Sequence, residues 1–303
     1  MDPILMDNLR LGVIGFSPGN GHPYSWSAIF NGYNPEVMEG CGFPVIPRYL
    51  EKQQFPASAI EGALVTHVWT QDTSISKHIA EAANIPNVCS EVADFYGEVD
   101  AVLLARDDAE SHLTIGLDLL KAGMAVYIDK PLALTAADAD LLISSQHYPG
   151  QLFSCSAMRY APEFQLDQAE LNSLGEVGAV HAMVPKDWEK YAVHVIEPAL
   201  KLIPGRGALL RTSVWRSDDR VTLLAEFANG PELQINTMGR SVAPLSITLF
   251  GIREWKRLEF NDTFRAFRAA LQDFVAGVRL RDVRITPDEM LDVVRIVEAG
   301  LKK

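Results

Sequence analysis

The sequence predicts an α/β protein in which a doubly wound parallel sheet is followed by an α+β domain with a largely antiparallel sheet. Between residues 9 and 145, short apolar runs alternate with helical patterns, which is typical of parallel strands joined by helices. From residue 151 the alternation stops, and five strand-like runs follow one another between 208 and 260. The chain has 303 residues, 48% of them hydrophobic, which is enough for two hydrophobic cores.

Composition narrows the classes of partner. The formal charge is −12, from 27 basic and 39 acidic residues. Nucleic acids and anionic membranes are bound by clusters of Lys and Arg, so a net negative charge argues against both as partners. We therefore expect a small-molecule ligand, no nucleic acid and no membrane. The three cysteines lack paired spacing and no targeting segment is evident, so we expect a reduced, cytoplasmic protein. No apolar window is long enough to cross a bilayer, and no C-x-x-C or H-E-x-x-H spacing predicts a metal site.

The first strand, Leu9 to Phe16, leads into a loop of small residues and a helix that begins near Pro23. Such a corner binds anions, because free amide groups and the helix dipole face the same point. The glycines do not spell G-x-G-x-x-G, so an ordinary tight turn is the alternative. The residues predicted to bind a cofactor here are Gly15, Phe16, Ser17, Gly19, Asn20 and Gly21.

Residues 34–61 are rich in Pro, Gly and aromatic residues and show no persistent period. We interpret them as an ordered insertion that covers part of a cleft or a subunit contact. The second strand, Ala63 to Trp69, follows. Asp72 comes soon after it, where a dinucleotide-binding unit carries an acidic residue for the adenosine ribose. The same residue is equally suited to cap the next helix.

The alternation then continues to residue 145. The predicted elements are a helix to Asn84, a strand near Val88, a helix from Glu91 to Tyr96, a strand from Asp100 to Ala105, a helix from Ala109 to Ala122, a strand from Ala125 to Ile128 and a helix from Ala136 to Ser145. Arg106 and His112 lie at the sheet edge where ligands bind, and we include both among the predicted cofactor contacts. For His112, packing at the helix terminus is the alternative.

Asp129-Lys130-Pro131 follows the strand that ends at Ile128. In an open α/β sheet, ligands bind at the carboxyl ends of the strands. The proline restricts the backbone of Lys130, and a rigid lysine at this position suits an active site. The alternative is a solvated lysine that caps an edge strand.

We place the domain boundary between residues 148 and 149, giving domains 1–148 and 149–303. A strand is predicted from Phe153 to Ala157, a helix to about Leu174, a strand from Gly178 to Val184 and a helix from Trp188 to Leu202. Five strands are predicted at 208–215, 221–227, 232–238, 246–250 and 255–260, followed by helices at 263–278 and 287–301. A sheet with helices on one face must cover its other face, so we expect a homodimer or homotetramer.

The glycine corner, D-K-P-L-A, R-Y-A-P-E-F and H-V-I-E together resemble the glucose-fructose oxidoreductase / inositol dehydrogenase / MocA (Gfo/Idh/MocA) family. The resemblance spans essentially the whole chain, and its most specific part is Asp129-Lys130-Pro131, similar to the family's Glu-Lys-Pro. It implies an N-terminal Rossmann domain for NAD or NADP and a C-terminal domain with an open-faced sheet that contacts substrate. It places Asp129 and Lys130 at the cofactor and Lys130 beside the substrate.

Two motifs depart from this family. Where it commonly has Asp-x-Gly-x-His, this chain has Lys190-Tyr191-Ala192-Val193-His194. We expect His194 to exchange a proton with a sugar hydroxyl and Tyr191 to be a second donor. We expect Arg159, Tyr160 and Lys190 to contact substrate. Thr70 stands where the family has its ribose-binding acid; because Asp72 is near and no arginine lies beside it, NAD is favoured over NADP.

The resemblance implies an NAD(P)-dependent oxidoreductase that transfers a hydride between nicotinamide and a secondary alcohol of a sugar or nucleotide-sugar. Within the family, the chain resembles the members that act in surface-polysaccharide sugar biosynthesis. Net epimerisation through a transient ketone is a variant of the same chemistry. The altered motifs keep a second hypothesis open: a cofactor-binding sensor or scaffold without turnover.

Overall fold

The computed structural model describes residues 8–302, which form two compact units. The first contains 8–129, Leu141–Ser154 and Leu271–Ile285; the second contains Lys130–Asp140, Cys155–Ala270 and 286–302. The boundary placed between 148 and 149 falls within a segment of the first unit. The outer ends of the two predicted domains, residues 1–7 and 303, lie outside the described residues.

The first unit has a six-stranded, wholly parallel sheet in the order β3-β2-β1-β4-β5-β6, which is the strand order of the Rossmann fold. The strands are β1 (Leu9–Ile14), β2 (Ala63–Trp69), β3 (Asn87–Val88), β4 (Ala101–Leu104), β5 (Ala125–Ile128) and β6 (Leu152–Ser154). Every residue of β4 and β5 is buried, as expected for central strands covered on both faces. The strand predicted from residue 153 is β6 of this sheet.

The helices that follow these strands in the chain are α1 (His22–Asn31), α2 (Pro35–Met38), α3 (Val45–Leu50), α4 (Thr73–Ala82), α5 (His112–Lys121) and α6 (Ala136–Ser144). Helices α2 and α3 lie in the insertion at 34–61, where the sequence shows no period. With four and six residues they are too short to display one, and Gly42 separates them in the left-handed conformation (φ 82°). The insertion is ordered, with Met38 and Leu50 fully buried.

The second unit has a six-stranded sheet in the order β12-β11-β7-β10-β9-β8. Its strands are β7 (Val177–Val184), β8 (Leu209–Ser217), β9 (Arg220–Phe227), β10 (Glu232–Thr237), β11 (Ser246–Gly251) and β12 (Trp255–Glu259). Only β7 and β10 pair in parallel among these strands of the described chain, so the prediction of a largely antiparallel sheet is confirmed.

The remaining helices are α7 (Gln168–Leu174), α8 (Trp188–Tyr191), α9 (Val193–Leu202), α10 (Thr263–Leu280) and α11 (Pro287–Leu301). The sequence predicts one helix over 188–202. Ala192 divides it into α8 and α9 but keeps helical dihedral angles (φ −57°, ψ −36°), so the two helices are consecutive. Helix α9 lies against β7, β10 and β11 and is buried along most of its length.

The two faces of the second sheet differ. On β9, Val221, Leu223 and Ala225 are buried, and α9 and α11 contact the sheet. The opposite face carries Trp215, which is 73% exposed, and Trp255, which is 66% exposed. Alternation along strands such as β7, β9 and β10 therefore produces one core face and one uncovered face with aromatic side chains.

Candidate active site

The loop after β1 leaves its main chain open to a ligand. Gly19 has φ 86°, and a Cβ added there would meet no atom within 4 Å. Among residues 8–302, no protein acceptor meets the main-chain amides of Ser17, Gly19 and Gly21. Unpaired amide donors on a backbone that can be closely approached fit the pyrophosphate of a dinucleotide.

Side chains from neighbouring strand ends hold this loop. Ser17 Oγ donates to Asp107 Oδ1 at 2.7 Å and accepts from the amide of Asp107 at 3.1 Å. Gln71 binds both polar groups of the Phe16 main chain: Oε1 accepts from the amide at 2.9 Å and Nε2 donates to the carbonyl at 2.5 Å. Sequence reasoning missed Gln71; its position two residues after β2 was the available signal.

Arg106 supports the same contact. Its Nη1 donates to Gln71 Oε1 at 3.0 Å, and its Nε and Nη2 bind the two carboxylate oxygens of Asp108 at 2.9 and 2.6 Å. Burial acts to raise the pKa of Asp108, but the hydrogen bonds and charge of Arg106 outweigh it and the pKa is lowered. Arg106, a predicted cofactor contact, is thus connected to the loop by its hydrogen bond to Gln71.

Asp72 and His112 both occupy helix starts. Asp72 Oδ1 accepts from the amide and the hydroxyl of Ser74 at 2.8 and 2.6 Å, so it caps α4, and these bonds lower its pKa. A ribose contact for Asp72 stays a prediction. His112 is fully buried at the start of α5, with Nε2 2.9 Å from the carbonyl oxygen of Arg106. This geometry matches packing at the helix terminus, the alternative to a cofactor contact for His112.

Asp129, at the end of β5, is 1% exposed and anchors the loop that precedes α1. Asn20 Nδ2 donates to Asp129 Oδ2 at 2.9 Å, and His22 Nδ1 lies 2.6 Å from the same oxygen. The ring of His22 stacks on Trp26 with 4.8 Å between centroids. Sequence reasoning did not single out His22, although a histidine directly after the glycine loop was visible.

Lys130 follows the interior strand β5 and begins a segment of the second unit. Its peptide bond to Pro131 is cis, and the residue is only 6% exposed. The alternative of a solvated lysine on an edge strand is therefore wrong. A buried ammonium group at a strand end is suited to act on a nearby anionic oxygen, because low polarity strengthens its field.

His194 belongs to the same unit and meets Ser156, which follows β6. Ser156 Oγ lies 2.8 Å from His194 Nδ1, and the Ser156 amide donates to Glu197 Oε2 at 2.6 Å. His194 and Glu197 are three residues apart on α9 and so face the same way. Sequence reasoning missed Ser156, which no local motif marks.

Tyr191 contacts His194 edge-on, with 5.7 Å between ring centroids. The ammonium group of Lys186 donates to the Tyr191 hydroxyl. Lys186 has φ 64°, and its main chain exchanges hydrogen bonds with Gly239 at 3.0 and 2.9 Å. Lys190 is half-buried, and its amide donates to Asp187 Oδ1 at 2.9 Å at the start of α8.

The predicted substrate contacts Arg159 and Tyr160 end a short 3-10 helix, Ala157–Tyr160. Arg159 is 9% exposed and binds Glu289 at 2.7 Å and Glu197 at 3.7 Å. Burial raises the pKa of Glu197 to about 7, although the charge of Arg159 acts against this. Lys201 Nζ lies 5.6 Å from the centre of the Tyr160 ring. A substrate role for Arg159 and Tyr160 stays a prediction.

No group of three or more His, Cys, Asp or Glu side chains is arranged to hold a metal ion within residues 8–302. In the same range, no helix combines the length and the apolar character needed to cross a membrane.

Comparison with known proteins identifies relatives. The chain is 27% identical over 220 residues to a protein of Amycolatopsis mediterranei (strain S699) described as a UDP-kanosamine synthase oxidoreductase subunit; the match covers 70% of this chain and 56% of that protein, about half its length. Myo-inositol 2-dehydrogenase from Lactobacillus plantarum has a similar fold, with a TM-score of 0.74, 13% identity and coverage of 97% of this chain and 96% of that one.

A second solved structure, UDP-N-acetylglucosamine 3-dehydrogenase from Acidithiobacillus ferrooxidans, superposes with a TM-score of 0.71 at 16% identity and covers 98% of this chain and all of that one (100%). At these identities the structures establish the fold. Residues 40–153 match the profile of the GFO_IDH_MocA oxidoreductase family, whose Rossmann fold binds NAD. Over residues 40–153, the chain is similar to the Gfo/Idh/MocA family of NAD-binding oxidoreductases.

Proposed function

We propose that this protein is an NAD-dependent dehydrogenase that acts on a secondary alcohol of a nucleotide-linked sugar. The observation that carries the proposal is a pair of functional groups in the second unit. They are the buried ammonium group of Lys130, directly after β5, and the imidazole of His194 on α9, which contacts Ser156. A cation and a titratable group are what alcohol oxidation needs besides the hydride acceptor.

The substrate class is supported by two considerations. The similar proteins described above act, by their names, on inositol and on UDP-linked sugars. In addition, Lys190 stands four residues before His194, where the family commonly has aspartate, which replaces a negative charge by a positive one. A cation near the reacting group favours an anionic substrate, and the diphosphate of a nucleotide-sugar supplies that charge.

The residues of this chain would divide the chemistry as follows. Bound nicotinamide supplies the hydride transfer itself. The ammonium group of Lys130 stabilises the negative charge that develops on the substrate oxygen, and its burial limits screening by water. His194 takes up or returns the hydroxyl proton, and the hydroxyl of Tyr191, bound by Lys186, is a second donor beside it.

The test is turnover with NAD⁺ and a panel of UDP-sugars and inositols, followed at the nicotinamide absorbance. In an enzyme, Lys130→Ala and His194→Asn should each lower turnover roughly a hundred- to a thousandfold, with little change in NADH affinity. Lys121→Ala, an exposed lysine at the end of α5, is the matched control.

The competing hypothesis, a sensor without turnover, is favoured by the replacement of the family aspartate by Lys190. It requires tight NADH binding together with no oxidation or reduction across the panel. That combination would refute the proposed dehydrogenase activity.

A further inference from the structure

We propose that Ser156 is a positioning residue for His194, and that Glu197 holds Ser156 in place for this purpose. The inference rests on the proposed function, because it concerns the residue that would exchange the substrate proton. It assigns roles to two side chains that lie outside the family motif at 190–194.

Two residues of helix α9, His194 and Glu197, contact Ser156. His194 meets the hydroxyl through Nδ1 at 2.8 Å, and Glu197, one turn later, accepts the amide of the same serine at 2.6 Å. Ser156 is fully buried and Glu197 is 3% exposed, so water does not compete strongly for either contact. The serine is therefore held through its main chain while its side chain serves the imidazole.

The hydrogen-bond capacity of the hydroxyl explains why serine suits this position. A hydroxyl has one proton to donate and two lone pairs that accept. The amide of Met158 donates to Ser156 Oγ at 3.3 Å and uses one lone pair. The proton can be donated to Nδ1 of a neutral ring, or the second lone pair can accept from Nδ1–H of an imidazolium. The same contact thus persists in both charge states, and because Nδ1 is engaged, we assign the exchange with substrate to Nε2.

Glu197 is itself supported from two elements. Arg159 lies 3.7 Å from it and binds Glu289 of α11 at 2.7 Å, so one guanidinium joins two carboxylates. The charged and titratable side chains around the Ser156–His194 contact are Tyr191, Lys186 bound to Tyr191, Lys190, Glu197, Arg159, Glu289 and Lys201. A substitution at Ser156 leaves the identity of each of these side chains unchanged.

The contact has a measurable consequence. Hydrogen bonds to a charged group are roughly twice as strong as those between neutral groups, so Ser156 favours the imidazolium over the neutral ring. Removing the hydroxyl should therefore lower the pKa of His194 by about half to one pH unit. A serine that only filled space would leave this pKa unchanged.

The experiment is a pH titration of the imidazole nitrogens by NMR in the ¹⁵N-labelled full-length protein without cofactor. The resonances of His194 are identified by their loss in His194→Gln. Ser156→Ala and Ser156→Cys remove the hydroxyl, and the cysteine variant keeps the side-chain volume if the alanine variant does not fold. Ser156→Thr keeps the hydroxyl, and Ser173→Ala on α7 is an exposed control.

We expect the Ala and Cys variants to titrate half to one unit lower at His194, and the Thr and Ser173 variants to match the wild type. In an active enzyme the corresponding limb of the turnover pH profile should move by the same amount. A His194 pKa within about 0.2 unit of wild type in folded Ala or Cys variants would overturn the inference. A Thr variant whose His194 pKa is lowered as in the Ala and Cys variants would also overturn it. Absence of turnover in the wild type, by contrast, refutes the proposed function and leaves the NMR result intact.

Discussion

Glu197 provides a direct test of the buried charges next to Ser156. The side chain is 3% exposed, its oxygen Oε2 accepts from the amide of Ser156 at 2.6 Å, and the nearest cation, Arg159, is 3.7 Å away. Because Arg159 binds Glu289 at 2.7 Å, its charge is shared between two acids. Burial therefore prevails, and the pKa of Glu197 rises from 4.5 to about 7.

The sign and size of the effect on stability follow from this shift. Between pH 4.5 and about 7 the folded protein keeps a proton on Glu197 that the unfolded chain has released. The resulting contribution to the free energy of unfolding is fully present below pH 4.5 and is lost progressively as the pH rises from 4.5 through about 7. At about 1.4 kcal/mol per pKa unit, it amounts to roughly 3 kcal/mol.

Glu197→Gln removes the titration while keeping an oxygen that can accept the amide of Ser156. Denaturant unfolding followed by tryptophan fluorescence should be measured for both proteins from about pH 5 to pH 8. We expect the stability of the variant relative to wild type to increase by roughly 3 kcal/mol over that interval. Glu189→Gln, at an exposed position of α8, is the control and should show no such trend. A difference between Glu197→Gln and wild type that does not vary with pH would refute the reasoning.

Two further predictions concern the cofactor loop and the uncovered sheet. Gln71→Ala should raise the dissociation constant for NADH about tenfold, because both hydrogen bonds to the Phe16 main chain are lost. Fluorescence titration measures this constant, with Gln54→Ala as the exposed control, and an unchanged affinity would remove Gln71 from the site. Trp215→Asp should shift a homodimer or homotetramer toward a monomer of 33.4 kDa in analytical ultracentrifugation, and a monomeric wild type at micromolar concentration would contradict the predicted assembly.

The architecture was largely predictable from the sequence because its signals are local. The uninterrupted apolar runs of β4 and β5 indicate strands buried on both faces, and the alternation along β9 indicates a sheet with one core face. The glycines after β1 and the proline after Lys130 restrict the backbone at their own positions. These features act over a few residues, so the sequence alone reveals them.

The contacts around the candidate functional residues of each unit were decided only by the tertiary structure. Gln71 is 55 residues from Phe16, and Ser156 is 38 residues from His194. The spacing of His194 and Glu197 shows that they share a helix face, but not that both would meet one serine. The chain also crosses between the two units several times, and residues 148 and 149 lie within one segment of the first unit. Such pairings depend on which strand ends and helices are neighbours in space, and local conformational preference carries no information about that.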